Sequence, residues 1–136
     1  MRKAKTVLCG GCFNAIHEGH IWFLNRAKSL GDSLVVVVAS DAHNRKPYAQ
    51  PAAARARALR ALGIADKVII GSSEDFFSTI SKIKPRIIAL GYDQALPAGV
   101  SEKISSLKIS VRRLPRYKNF STSALHATKR SKNCGL

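Results

Sequence analysis

Apolar positions along this chain keep two alternating rhythms. Lys5 to Cys9 and Ser33 to Ala39 are short β-branched or apolar runs, and Leu34-Val35-Val36-Val37-Val38 is continuously hydrophobic, as in a parallel strand buried on both faces. Between them Ile21, Leu24, Ala27 and Leu30 recur at helical spacing with Arg26 and Lys28 outward, and Gly31 stands where that helix would stop. The unit then repeats. A helix is predicted over Pro51 to Leu62, closed by Gly63, followed by a strand at Lys67 to Ile70 and a helix from Ser73 to Lys82 with Glu74 and Asp75 in its first turn. A strand at Arg86 to Leu90 ends at Gly91, and a loop through Asp93 to Gly99 leads to a short helix around Val100 to Leu107. A strand at Ile109 to Arg112 and a last helix starting near Ser121 complete the pattern. Strands and helices alternate throughout, so the class is α/β, a doubly wound domain with a five-stranded parallel sheet.

Length and charge narrow the picture. The 136 residues suffice for one domain and its core, with a basic C-terminal tail over about 127–136, and leave no room for a separate substrate domain. No apolar run approaches the roughly 18 residues of a membrane span. Met1-Arg2-Lys3-Ala4-Lys5 has the positive start of a signal peptide, but Gly10 and Gly11 break the apolar stretch behind it, so a cytoplasmic protein is expected. The formal charge of +15 predicts anionic partners. From Lys103 onward there are nine Lys and Arg and no acid, which fits a phosphate-rich site, nonspecific nucleic-acid binding or, for Lys129 to Lys132, plain solvation. Only Tyr117 and Phe120 there could stack on bases, so nucleic acid is not the expected partner. The odd cysteine count argues against a disulfide framework. Cys9 and Cys12 form a C-x-x-C that could be a redox pair or half a metal site; without a second pair, Cys9 is read as core and Cys12 as a turn residue.

The chemistry gathers in the first strand-to-helix turn, Gly10-Gly11-Cys12-Phe13-Asn14-Ala15-Ile16-His17-Glu18-Gly19-His20. Glycines let backbone approach a ligand, and a helix N-terminus offers free N–H donors and partial positive charge, a setting for phosphate. His17 and His20 are three apart at the helix entrance, so both imidazoles can donate to one phosphate, with Gly19 leaving room between them. A His pair could instead bind metal, but no third ligand is evident, and no direct protein ligand to a metal is predicted.

The stretch Gly11-Cys12-Phe13-Asn14 through His17-Glu18-Gly19-His20, with Phe23-Leu24 and Ala27-Lys28-x-Leu30-Gly31-Asp32 behind it, closely resembles the G-x-F-D-x-x-H-x-G-H signature of the cytidylyltransferase-like nucleotidyltransferases, whose fold is Rossmann-like. Arg45-Lys46-Pro47 is similar to the family's lysine loop, Arg55 to the arginine on the following helix, and Ala65 to Gly71 to its V-D-x-v-i-x-G strand. Ser121-Thr122-Ser123 is similar to its C-terminal S-T-S motif, with Arg113 matching the arginine before it; the resemblance spans about residues 5 to 126.

The resemblance implies transfer of a nucleoside monophosphate from a triphosphate, carried with Mg²⁺, to a phosphorylated acceptor with release of pyrophosphate. It makes His17, His20 and Lys46 the catalytic set, and Gly11, Cys12, Phe13, Asn14, Gly19, Gly91, Asp93, Arg113, Ser121 and Thr122 the nucleotide contacts. Arg55, Tyr92 and Gln94 become acceptor contacts, and a homodimer is expected. From the residues alone, Lys46 is equally a solvated loop cation, Ser121-Thr122 equally a helix cap, and Asp93 equally an ordinary turn residue. Leu90-Gly91-Tyr92-Asp93-Gln94 resembles the L-G-Y-D-Q segment of archaeal FAD synthases of the family, whereas glycerol-3-phosphate cytidylyltransferases carry G-D-D-W there. ATP and FMN are therefore the favoured substrates, with a cytidylyltransferase acting on an alcohol phosphate as the alternative. Asn14 stands where the family has aspartate, and Glu18 where it often has an uncharged residue.

Overall fold

The computed structural model describes residues 4–41, 50–71 and 76–115. The elements are β1 (Thr6–Gly11), α1 (Glu18–Lys28), β2 (Ser33–Val38), α2 (Ala52–Leu62), β3 (Lys67–Ile70), α3 (Phe76–Ile83), β4 (Ile87–Leu90), α4 (Val100–Ile104) and β5 (Ser110–Arg113). The five strands form one sheet in the order β3-β2-β1-β4-β5, every pairing parallel. Chain direction across the sheet reverses between β1 and β4. The carboxyl ends of those two strands therefore flank the switch point of the sheet, which is where sheets of this kind take ligands.

Alternation along the central strands divides the core into two layers. Val7, Cys9, Leu34, Val36 and Val38 face Leu24 and Ala27 of α1 and Ala56 and Leu59 of α2. Leu8, Val35, Val37, Ile88 and Leu90 face Phe76 and Ile80 of α3 and Val100 and Ile104 of α4. Burial on both faces explains why β2 reads as an unbroken apolar run. No helix among the described residues is long and apolar enough to cross a membrane.

Three local differences from the sequence reading have physical causes. β1 runs two residues further than Cys9, because Gly10 and Gly11 pair in register with Val37 and Val38. Helix α1 stops at Lys28 with Ser29 as its C-cap, so Gly31 does not cap it; a Cβ at Gly31 would lie 2.7 Å from the Lys5 carbonyl oxygen, and the glycine is there for close packing against the start of β1. The segment Val100 to Leu107 is not one helix: α4 gives way to a 3₁₀ turn over Ser105–Leu107, where the Ser105 hydroxyl donates to the Glu102 carbonyl at 2.8 Å. Residues 72–75, the predicted start of α3, and the helix predicted near Ser121 lie outside the described residues.

Candidate active site

β1 delivers the chain to the switch point, and the turn after it is held unusually tightly. Phe13 sits in the left-handed region at φ 53° with its ring buried, a conformation that costs a non-glycine residue energy and persists only where the surroundings enforce it. A Cβ on Gly11 would come within 3.2 Å of that ring, so Gly11 makes room for Phe13 as much as for any ligand. The Phe13 ring in turn supports His20, with centroids 5.4 Å apart.

The two histidines cap α1 reciprocally. His17 is the N-cap in extended conformation, and its Nδ1 accepts the Gly19 N–H at 3.0 Å. The His17 N–H donates to Nδ1 of His20 at 3.2 Å, which completes a capping box with imidazoles in both side-chain positions. The rings stack with centroids 4.0 Å apart. Both Nδ1 atoms serve as acceptors, so each neutral ring carries its proton on Nε2. The Gly19 amide is spent on His17, and the His20 and Ile21 amides on the His17 carbonyl. These three backbone groups are therefore not the free donors that the sequence suggested, and the protons of the two imidazoles sit on Nε2. Burial lowers the pKa of His17, and burial together with the neighbouring His17 pushes His20 down to about 3. Both rings stay neutral donors near pH 7.

A second cluster closes the β4 side. The Gly91 N–H donates to Oε1 of Gln94 at 2.8 Å, while Nε2 of Gln94 donates to the Gly10 carbonyl at 2.8 Å, joining the ends of β4 and β1. Nη1 of Arg113, at the end of β5, donates to the carbonyls of Gly91 at 3.0 Å and Tyr92 at 3.3 Å, and to that of Gln94. Tyr92 and Asp93 are exposed beside this turn. Gln94 thus spends its amide on structure.

Arg55 also holds a place other than the one the sequence suggested. It is buried, with 1 % of its surface exposed, and its guanidinium donates to the carbonyl of Gln50 through Nε at 2.7 Å and to that of Cys12 through Nη1 at 2.9 Å. Nη2 meets Oδ1 of Asp41 at 3.1 Å, and the same oxygen accepts the Ala52 N–H at the start of α2 at 2.9 Å. Asn14 accepts the Gln50 N–H at 3.1 Å. Lys46, Ser121 and Thr122 lie outside the described residues.

Sequence reasoning missed Asp41, Gln50 and the bracing role of Gln94. No local pattern announces a carboxylate that caps a helix from eleven residues away. The capping box was open to inspection, since His17 and His20 stand at N-cap and N3 spacing. Cys9 is a free, buried thiol whose pKa is pushed up to about 12 by burial, which suits core and not redox chemistry. Among the described residues, no three His, Cys, Asp or Glu side chains gather as a metal site.

Residues 8–131 match the family model described as cytidylyltransferase-like. The chain is 42% identical over 115 residues to a protein named FAD synthase from Methanosarcina barkeri, an alignment covering 80% of this chain and 82% of that one. It is 50% identical over 93 residues to a protein of the same name from Ferroglobus placidus, covering 66% of this chain and 60% of that one. Among solved structures, a lipopolysaccharide core biosynthesis protein from Thermoplasma volcanium superposes with a TM-score of 0.74 at 36% identity, over 87% of this chain and 100% of that one.

Proposed function

The chain belongs to the cytidylyltransferase-like family, and from that premise we propose that it is an FMN adenylyltransferase, which transfers the adenylyl group of ATP to the phosphate of FMN. The products are FAD and pyrophosphate. One observation carries the reading: two stacked imidazoles at the entrance of α1, each with Nδ1 held by a backbone N–H of the capping box and its proton therefore on Nε2, beside the β1–β4 crevice. The names of the relatives and the Leu90-Gly91-Tyr92-Asp93-Gln94 segment supply the substrate.

In this reaction an oxygen of the FMN phosphate attacks the α-phosphorus of ATP in line, the bond to the β-phosphate bridging oxygen breaks, and the electron pair leaves with pyrophosphate. Negative charge builds on the equatorial oxygens of the α-phosphate. His17 and His20 donate Nε2–H to those oxygens, and because their Nδ1 atoms are fixed by the cap, the donors need no reorganisation as the charge grows. Gly11, Cys12, Phe13, Asn14 and Gly19 form the wall of this phosphate site, and Gly91, Tyr92 and Asp93 border the nucleotide or the acceptor. Arg113, through guanidinium donors other than Nη1, and Lys46, Ser121 and Thr122, by resemblance, hold the outer phosphates. Gln94 and Arg55 act behind this surface.

The turn presents imidazole N–H groups, which fit an anion, so a divalent cation would come with the triphosphate and would shield its charge. Cytoplasmic action and a homodimer belong to the same proposal, the latter checked by sedimentation. The deciding experiment crosses the four nucleoside triphosphates with FMN, glycerol 3-phosphate, phosphocholine and phosphopantetheine, scoring pyrophosphate release. Turnover with ATP and FMN is expected. Turnover only with CTP and an alcohol phosphate would move the protein to the cytidylyltransferases, and steeply salt-dependent nucleic-acid binding without turnover would make the +15 charge the feature that matters.

A further inference from the structure

A buried guanidinium needs a reason, since an arginine taken out of water costs several kcal/mol unless its donors are met. Arg55 meets its cost by touching three separate stretches of chain: the turn after β1 at Cys12, the residue Gln50 that precedes α2, and Asp41 beyond β2. The contacts close a ring. Arg55 holds the carbonyls of Cys12 and Gln50, the Gln50 N–H returns to the side chain of Asn14, and Asn14 lies two residues after Cys12 in the same turn. Both sides of the Gln50 residue are thus tied to the turn that carries the histidines. Asp41 and Gln50 also flank residues 42–49 in the sequence, which include Lys46, so the same guanidinium holds the two described residues on either side of them.

We propose that Arg55 is a positioning residue for the transfer reaction, a buried fork that sets the histidine-bearing turn and residues 41 and 50 relative to one another before substrate arrives. The inference rests on reading that turn as the triphosphate site. Three acceptors in three directions require a planar fork, and a lysine ammonium cannot replace it at those distances although it keeps the charge. An error of about 1 Å in a catalytic turn costs up to about a hundredfold in rate.

The test compares Arg55→Lys, Asn14→Ala and the double variant with the parent, in full-length protein. Each is measured for kcat and KM with ATP and FMN, and for the imidazole ¹⁵N resonances of His17 and His20 without ligand. We expect Arg55→Lys to lower the kcat of folded protein by about tenfold or more, with KM for FMN within about twofold of the parent. The double variant should be little worse than the worse single one, because both break one ring. The histidine resonances should shift in Arg55→Lys. Unchanged resonances and a parental kcat in folded Arg55→Lys would reduce Arg55 to a stabilising residue and overturn the proposal, as would single effects that multiply. If Arg55→Lys does not fold, Asp41→Asn loosens the same guanidinium at its charged end, and histidine resonances that stay in place would overturn the proposal equally. If the parent does not turn over ATP and FMN, the proposed function fails on its own, and the resonances of the ligand-free variants still decide the role of Arg55.

Discussion

Gln94 donates its side-chain amide to the carbonyl oxygen of Gly10 at 2.8 Å, across eighty-four residues of chain. With its Oε1 on the Gly91 N–H, one side chain ties the end of β1 to the end of β4, the two strands that flank the crevice. Sheet pairing between these strands has its register at Val7 with Ile87 and Leu8 with Ile88. The glycine-rich ends beyond those pairs depend on Gln94 for their spacing, and a site built across them inherits that spacing.

Replacing Gln94 with alanine should therefore destabilise the fold by about 1–3 kcal/mol, since it removes the partners of the Gly91 N–H and the Gly10 carbonyl together. Gln94→Glu keeps the acceptor for Gly91 but turns a second carboxylate oxygen toward the Gly10 carbonyl, so its loss should be at least as large near neutral pH and should shrink on acidification. Urea midpoints measure both. Parental midpoints in both variants would show that the tie carries no weight.

Gly31 and Gly63 separate two reasons for glycine. Gly63 has φ 71° with nothing within 4 Å of a built Cβ, so Gly63→Ala should lose about 1 kcal/mol from backbone strain alone. Gly31→Ala meets the Lys5 carbonyl oxygen at 2.7 Å and the Val7 side chain at 2.9 Å, and should lose about 1–3 kcal/mol by overpacking. Thermal unfolding should rank Gly31→Ala below Gly63→Ala; the reverse order would mean that the start of β1 yields to the added methyl.

The core was legible where burial repeats with a fixed period. The Val-rich β2 announced a doubly covered strand, and Lys67 to Ile70 falls where its apolar run placed it. The histidines were legible because their separation in sequence is also their separation on a helix. Arg55 and Gln94 were misplaced for one reason: sequence shows that a polar side chain is available at a site but not whether backbone carbonyls from distant segments use up its donors. Asp41 was invisible for the same reason, its partners Ala52 and Arg55 being set by how β2 and α2 pack. Gly31 was misread because a close approach between elements cannot be told from a helix stop without the neighbouring strand in place.

The cap that His17 forms and the phosphate donation proposed for it can be separated by substitution. Asparagine is a good N-cap and can accept the Gly19 N–H, but it does not put a donor where Nε2 stands. His17→Asn should keep the parental melting temperature within a few degrees while turnover falls by about a hundredfold or more. His17→Ala should lose the turnover and, in addition, about 1 kcal/mol of stability with the cap. Circular dichroism melts and pyrophosphate release measure the two independently. Near-parental turnover in His17→Asn would remove His17 from the phosphate donors.

Asn14 contributes Oδ1 to the Gln50 N–H at 3.1 Å, an interaction that a carboxylate makes equally well. Asn14→Asp should therefore preserve the ring through Gln50 and Arg55, and turnover should stay within about threefold of the parent. A folded Asn14→Asp with turnover lost would show that the neutral amide matters for what this loop holds and that the loop is not used as its relatives use it. The comparison is a steady-state assay at saturating ATP and FMN.

Acidification tests the electrostatics of the capping box. The folded state lowers His20 from 6.5 to about 3, chiefly by burial and then by the neighbouring His17, whose own pKa is also lowered by burial. In that interval the unfolded chain binds protons that the folded chain refuses, so stability rises with pH there. The contribution is complete above about 6.5 and is lost as pH falls from about 6.5 toward about 3. Geometry reinforces the sign, because a proton on either Nδ1 would face the Gly19 or His17 N–H that now donates to it. His20→Gln keeps an acceptor at the third helical position of the capping box and does not titrate. The urea midpoint of the parent should fall more steeply between about pH 7 and about pH 4 than that of His20→Gln. Equal slopes would mean that His20 protonates freely in the folded protein, in which case it would be a cation near its solution pKa and not the neutral Nε2–H donor on which the proposed phosphate site depends.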